Sequence, residues 1–201
     1  MNHDFILLDR SGSMHSRWTE ALSSVNAYVD ELARKDADTG VTLVTFDQYP
    51  QYLAFDVIRD RIIPKTWKRV TNEDCTPRGG TPLNDAIGRI VNLAKFGNYD
   101  KVALIIMTDG EENASKELTH HAAKSLLQTY RDKGWQVIML GADFDNVKQA
   151  ESYGTQFGQH LTANAANLVG TMRMTATKRF DNLATGQNMA YTPEEKKKAV
   201  E

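Results

Sequence analysis

The chain has 201 residues, which suits one domain with at most a short appendage. Hydrophobic residues make up 41% and charged residues 25%, close to an ordinary soluble globular protein, so a core large enough for independent folding is expected. The formal net charge of −2 excludes a whole-chain basic field that would draw the protein onto nucleic acid or anionic membrane. A single cysteine, Cys75, excludes an internal disulfide framework and points to a reducing, cytoplasmic compartment.

Phe5-Ile6-Leu7-Leu8 is a continuous apolar run, as in a strand covered on both faces. It is too short for a signal segment or a membrane span, and no other apolar stretch is long enough to cross a bilayer. Trp18, Leu22, Val25, Val29 and Leu32 then recur at helical spacing. Val41–Phe46 and Tyr52–Ile58 read as strands joined by a hairpin-type connection through Tyr49-Pro50. The stretch 59–80 is irregular, with Pro64, Pro77 and the Gly79-Gly80 pair. Thr81-Pro82 reads as an N-cap and first helical position, and Leu83, Ile87, Ile90 and Ala94 mark the buried face of the helix that follows.

Val102–Met107 is the most strand-like run and is expected at the centre of the sheet. A helix through Leu118, Ala122, Leu126 and Tyr130 ends at Gly134, and Trp135–Leu140 is the next strand. Val147, Ala150 and Tyr153 predict a short helix closed by Gly154, and Gln156–Leu161 a short edge strand. Asn164–Phe180 reads as a helix with a kink at Gly170. Thr192-Pro193-Glu194-Glu195 has a capping-box form, so the segment 186–201 is expected as a tail, flexible or in a short helix, behind a domain over 1–185. Alternation of strands and helices with one early hairpin predicts a doubly wound, mostly parallel α/β sheet, with one antiparallel edge strand and helices on both faces.

Chemistry concentrates in three places. Asp9-Arg10-Ser11-Gly12-Ser13 follows the first strand and sets a carboxylate and two hydroxyls at alternate positions. Thr81 follows the glycine pair, and Asp109 follows the central strand in Thr108-Asp109-Gly110. If the strands ending at Leu8 and Met107 are parallel neighbours, Asp9 and Asp109 leave one sheet edge side by side. Two carboxylates that close repel each other, and a divalent cation neutralises both. Mg²⁺ takes six oxygens, so Asp9, Ser11 and Ser13 alone do not complete its shell.

Asp-x-Ser-x-Ser, the distant Gly-Gly-Thr-Pro-Leu and Thr-Asp-Gly together resemble the metal-ion-dependent adhesion site of von Willebrand factor A-type domains. Ser13-Met14, Gly80-Thr81-Pro82-Leu83 and Asp85-Ala86 are similar to prokaryotic and phage cytosolic members, and the resemblance extends from about Phe5 to Asp143. It implies a Rossmann-like fold and a Mg²⁺ site, with Mn²⁺ or Ca²⁺ as substitutes. Ser11 and Ser13 would bind directly, Thr81 directly or through water, and Asp9 and Asp109 mainly through bound waters. It further implies a protein partner offering a Glu or Asp to the metal, and association with a multiprotein assembly or an AAA-type ATPase.

The leading expectation is therefore a binding module and no enzyme. One alternative is a metal-dependent hydrolase or phosphotransferase, although no phosphate-cradling loop or general base accompanies the motif. Another is nucleic-acid binding through the basic segment 59–69, where Arg59, Arg61, Lys65, Lys68 and Arg69 surround Trp67; a solvated connection with Trp67 tucked into the fold is the preferred reading. Glu111 and Glu112 read as solvated loop acids in preference to residues that tune the metal field, and Lys196-Lys197-Lys198 as a solvated end.

Overall fold

The computed structural model describes residues 1–142, 147–155 and 158–201. Its strands are β1 (His3–Asp9), β2 (Gly40–Gln48), β3 (Leu53–Ile62), β4 (Val102–Thr108), β5 (Gln136–Ala142) and β6 (His160–Ala163). The helices are α1 (Trp18–Arg34), α2 (Leu83–Lys95), α3 (His120–Asp132), α4 (Val147–Ser152), α5 (Leu168–Thr185) and α6 (Pro193–Val200). The strands form one sheet in the order β3-β2-β1-β4-β5-β6. Every pairing is parallel except the β2–β3 hairpin at the edge. This is the architecture predicted from the alternation of elements.

Side chains of each central strand alternate between two cores, as the strand period requires. Ile6 and Leu8 of β1 pack with Ile105, Met107, Leu22, Val25 and Met172 on the α1/α5 face. Phe5 and Leu7 pack with Leu104, Ile106, Ile87, Ile90 and Leu127 on the α2/α3 face. Both faces of β1 and β4 are thus buried, which explains their unbroken apolar runs. The strand order reverses at β1, which has β2 on one side and β4 on the other, so a crevice opens beyond the carboxyl ends of β1 and β4.

Several boundaries differ from the sequence reading. A 3₁₀ turn over Gly12–Arg17 precedes α1. The helix expected from Leu118 starts at His120, because the Leu118 N–H is drawn to Asp85 Oδ1 at 2.7 Å and Thr119 caps the first turn by accepting from the Ala122 N–H at 3.2 Å. β6 begins later than expected, and Gln156, like Asp143, lies outside the described residues. Gly170 sits within the first turn of one helix, α5, which continues past Phe180 until Gly186 ends it in the left-handed region at φ 77°. α6 carries the capping box of Thr192 and Glu195. Met189, Tyr191 and Ala199 from the segment after α5 are buried in the α1/α5 core. Among the described residues no helix is long and apolar enough to cross a membrane.

Candidate metal site at the strand ends

β1 and β4 run side by side with Leu8 opposite Met107, so their last residues deliver Asp9 and Asp109 to the same edge of the sheet. Asp9 is fully buried. Its Oδ1 accepts the Ser11 N–H at 2.7 Å, and its Oδ2 accepts the Thr108 hydroxyl at 2.6 Å. Burial pushes the Asp9 carboxyl up to about 6, against the hydrogen bonds from Thr108 and Ser11 that favour the charged form; the charge of Asp109 adds to the rise.

The Ser11 and Ser13 hydroxyls lie 3.1 Å apart, and that of Ser13 donates to Asp109 Oδ1 at 2.7 Å. Asp109 Oδ2 accepts from Arg17 Nη1 at 3.2 Å, so a guanidinium supplies positive charge on this side. Thr81 completes the group from the third loop. A Cβ built on Gly110 would stand 3.2 Å from Thr81 Oγ1, 3.4 Å from Ser13 Oγ and 4.0 Å from Asp9 Oδ2. The structure therefore brings Asp9, Ser11, Ser13, Thr81 and Asp109 around one small space beside Gly110. Ser13 is exposed and the other four are buried, so the space has one open side.

Thr81 departs from the N-cap role expected of it. The N-cap of α2 is Pro82, with no side-chain cap. The free N–H groups of the first turn go elsewhere: Asn84 donates to Glu112 Oε2 at 2.8 Å and Asp85 to Ser115 Oγ at 3.1 Å. The Thr81 hydroxyl is thereby left to face the site. Glu112 corrects a second reading. It is no solvated loop acid, for its Oε1 also accepts the Ala114 and Ser115 N–H groups at 2.9 and 2.7 Å. Asn113 brackets Thr81, accepting its N–H at 2.9 Å and donating its own N–H to the Thr81 carbonyl at 3.1 Å. Acids and amides three residues from a turn are common in sequences, so only the pairing across loops reveals these roles.

The donor set is two carboxylates and three hydroxyls, all hard oxygens, with neither thiol nor imidazole. That chemistry fits Mg²⁺, Mn²⁺ or Ca²⁺ and not a thiophilic metal. Among the described residues no group of three or more His, Cys, Asp or Glu side chains could hold a metal, so a cation here depends on hydroxyl and water oxygens for most of its shell.

Four of the five cations of the basic segment, all but Lys68, are paired with carboxylates. Arg59 pairs with Asp74 at 2.9 Å, Arg61 with Asp60 at 2.8 Å, Lys65 with Asp36 at 2.6 Å and Arg69 with Asp30 at 2.5 Å. Trp67 is half-buried and donates through Nε1 to Asn26 Oδ1 at 3.0 Å.

No curated protein matches the sequence. Solved structures do. The vWF domain of the type V pili tip protein Mfa5 from Porphyromonas gingivalis aligns at TM-score 0.68 and 14% identity, over 95% of this chain and 98% of that one. The pilus adhesin SpaC from Lactobacillus rhamnosus GG aligns at 0.66 and 15%, over 89% of this chain but only 30% of SpaC. Manganese-loaded TRAP protein of Plasmodium vivax aligns at 0.63 and 16%, over 85% of this chain and 71% of that one. At such identities these likenesses speak to fold. The family model for the von Willebrand factor type A domain matches residues 5–187, nearly the whole length, and this chain belongs to that family.

Proposed function

We propose that the chain is a cation-dependent protein-binding module with an intact metal-ion-dependent adhesion site, of the prokaryotic or phage cytosolic kind. Asp9, Ser11, Ser13, Thr81 and Asp109 are its ligand set and Mg²⁺ its cation. The observation that carries this reading is the convergence of Asp9, Ser13 and Thr81 on the space beside Gly110, with Ser13 bonded to both Ser11 and Asp109. Bound Mg²⁺ would supply a Lewis-acid contact for a carboxylate oxygen of a partner's Glu or Asp.

The protein's own groups set up that contact. Ser11 and Ser13 offer neutral oxygens, so they add no charge to oppose an incoming acid. Asp9 is held by Thr108 and the Ser11 amide, which keeps its orientation fixed. The open side at Ser13 leaves room for one partner group. A structural neighbour that is manganese-loaded supports a divalent cation, and another that is a pilus adhesin supports an adhesion role. The lone Cys75 supports a reducing compartment. Partners of this kind suit a multiprotein assembly, including one remodelled by an AAA-type ATPase.

Millimolar Mg²⁺ or Mn²⁺ is expected to raise the thermal midpoint of the wild type, because a ligand that binds only the folded state stabilises it. Ser11→Ala combined with Asp109→Ala is expected to abolish the rise in a differential scanning measurement. An unchanged metal response in the double variant would remove the assignment.

A further inference from the structure

Arg10, Asp47 and Arg78 form an ionic bridge between the two loops that carry the proposed ligands, and the metal reading makes no use of it. Asp47 lies near the end of β2 with its side chain fully buried. Its Oδ1 accepts from Arg10 Nε at 2.9 Å and its Oδ2 from Arg78 Nε at 2.8 Å. Arg10 stands between Asp9 and Ser11, and Arg78 immediately precedes Gly79-Gly80-Thr81. Arg10 Nη2 also reaches Asp56 on the edge strand β3. The main chain follows the same path. Arg78 N–H donates to the Arg10 carbonyl at 2.8 Å, Gly12 N–H to Gly79 at 3.0 Å and Gln48 N–H to Gly80 at 3.0 Å. Gly79 permits this approach: its φ is 67°, and a Cβ there would fall 1.8 Å from the Gln48 carbonyl oxygen.

A buried ion pair is a weak source of net stability, because desolvation offsets most of the attraction. It is a strong constraint on geometry, since charges removed from water tolerate only the arrangement in which they meet. Only Arg10 and Asp47 are buried, with Arg78 and Asp56 partly exposed at the two ends, and each Asp47 oxygen is committed to a different loop. The bridge therefore fixes the spacing between the loop of Ser11 and Ser13 and the loop of Thr81.

We propose that Asp47, acting through Arg10 and Arg78, is a positioning residue for the cation site; the proposal rests on the metal reading above. Without the bridge the Gly79-Gly80 segment is held to its neighbours by main-chain hydrogen bonds alone, and the Thr81 hydroxyl shifts from its place beside Gly110. Cation affinity falls while the sheet and helices stand. Arg78 suits the test because its side chain is 39% exposed and its removal leaves no large buried void.

The experiment is calorimetric titration of Mn²⁺ into wild type, Arg78→Gln, Arg78→Lys and Asp47→Asn, well below their melting points, with circular dichroism confirming the fold. Arg78→Gln is expected to weaken Mn²⁺ binding about tenfold, the lower end of what support residues contribute at metal sites. Arg78→Lys is expected to recover part of that loss, and Asp47→Asn, when folded, to lose at least as much as Arg78→Gln. If Asp47→Asn does not fold, the two Arg78 variants decide. A wild-type dissociation constant in folded Arg78→Gln overturns the bridge and leaves the metal site standing. A wild type that takes up no Mn²⁺ overturns the metal reading, and the proposal with it.

Discussion

A methyl group on Gly110 would stand 3.2 Å from the Thr81 hydroxyl and 3.4 Å from that of Ser13, inside the space proposed for the cation. Gly110→Ala is therefore expected to weaken Mn²⁺ binding by about tenfold or more, and, because the methyl crowds the buried Thr81 hydroxyl, to cost about 1–3 kcal/mol of stability without metal. Titration calorimetry paired with urea unfolding separates the two effects, and equal affinity would show that the cation sits elsewhere. At the opposite end of β1, His3 is buried, stacked on Tyr99 at 4.4 Å and bonded through Nε2 to Thr42 Oγ1 at 2.8 Å. Burial pushes its pKa down from 6.5 to about 4, so the unfolded chain binds the proton more readily than the folded one. The resulting stability is present above about pH 6.5 and is lost as pH falls towards 4, at most about 3 kcal/mol from this group. Urea unfolding at neutral and acidic pH is expected to show a smaller acid loss in His3→Gln, which has no titrating ring.

At the scale of elements, the segment between β4 and α3 is held against the start of α2 by two acids. Asp85 is buried and accepts the backbone N–H groups of Lys116, Glu117 and Leu118 at 2.7, 3.0 and 2.7 Å. Glu112 serves Asn84, Ala114 and Ser115 from the other side. α2 thus gains negative charge at its N-terminus, and a connection with no regular structure gains fixed backbone partners. Asp85→Ala strands three N–H groups and is expected to cost about 3 kcal/mol in urea unfolding. It is also expected to speed amide exchange at Lys116, Glu117 and Leu118 selectively. A cost below about 1 kcal/mol would mean that water replaces the carboxylate.

For the whole molecule, the first strand and the last long helix are joined through a buried pair. Asp4 and Arg179 are both fully buried, 2.6 Å apart, and Arg179 also donates to the Lys101 carbonyl beside β4 at 3.0 Å. The chain beyond α5 then returns across the same face. Tyr191 bonds Thr175 at 2.6 Å, and Met189, Tyr191 and Ala199 lie in the core. We propose that residues 1–185 form the family domain and that 186–201 are its integral appendage. Truncation after Thr185 exposes the surface those side chains cover and is expected to destabilise the protein by more than about 3 kcal/mol, read as a lower urea midpoint. A midpoint within error of the full chain would show the appendage to be dispensable.

The order of strands and helices, the early hairpin and the Asp9, Ser11, Ser13, Thr81 and Asp109 pattern were all legible in the sequence. Each rests on local periodicity or on a short motif beside a strand end, and such signals need no knowledge of what lies opposite. Tertiary structure alone decided which neighbours those residues meet. The Arg10–Asp47–Arg78 bridge, the backbone acceptors Asp85 and Glu112, the release of Thr81 from capping and the Arg17–Asp109 pair all join positions from separate loops. An Arg or Asp in a loop looks the same in sequence whether water or a buried partner receives it. Only the folded sheet, by placing the ends of β2, β1 and β4 together, brings those scattered charges within reach of one another.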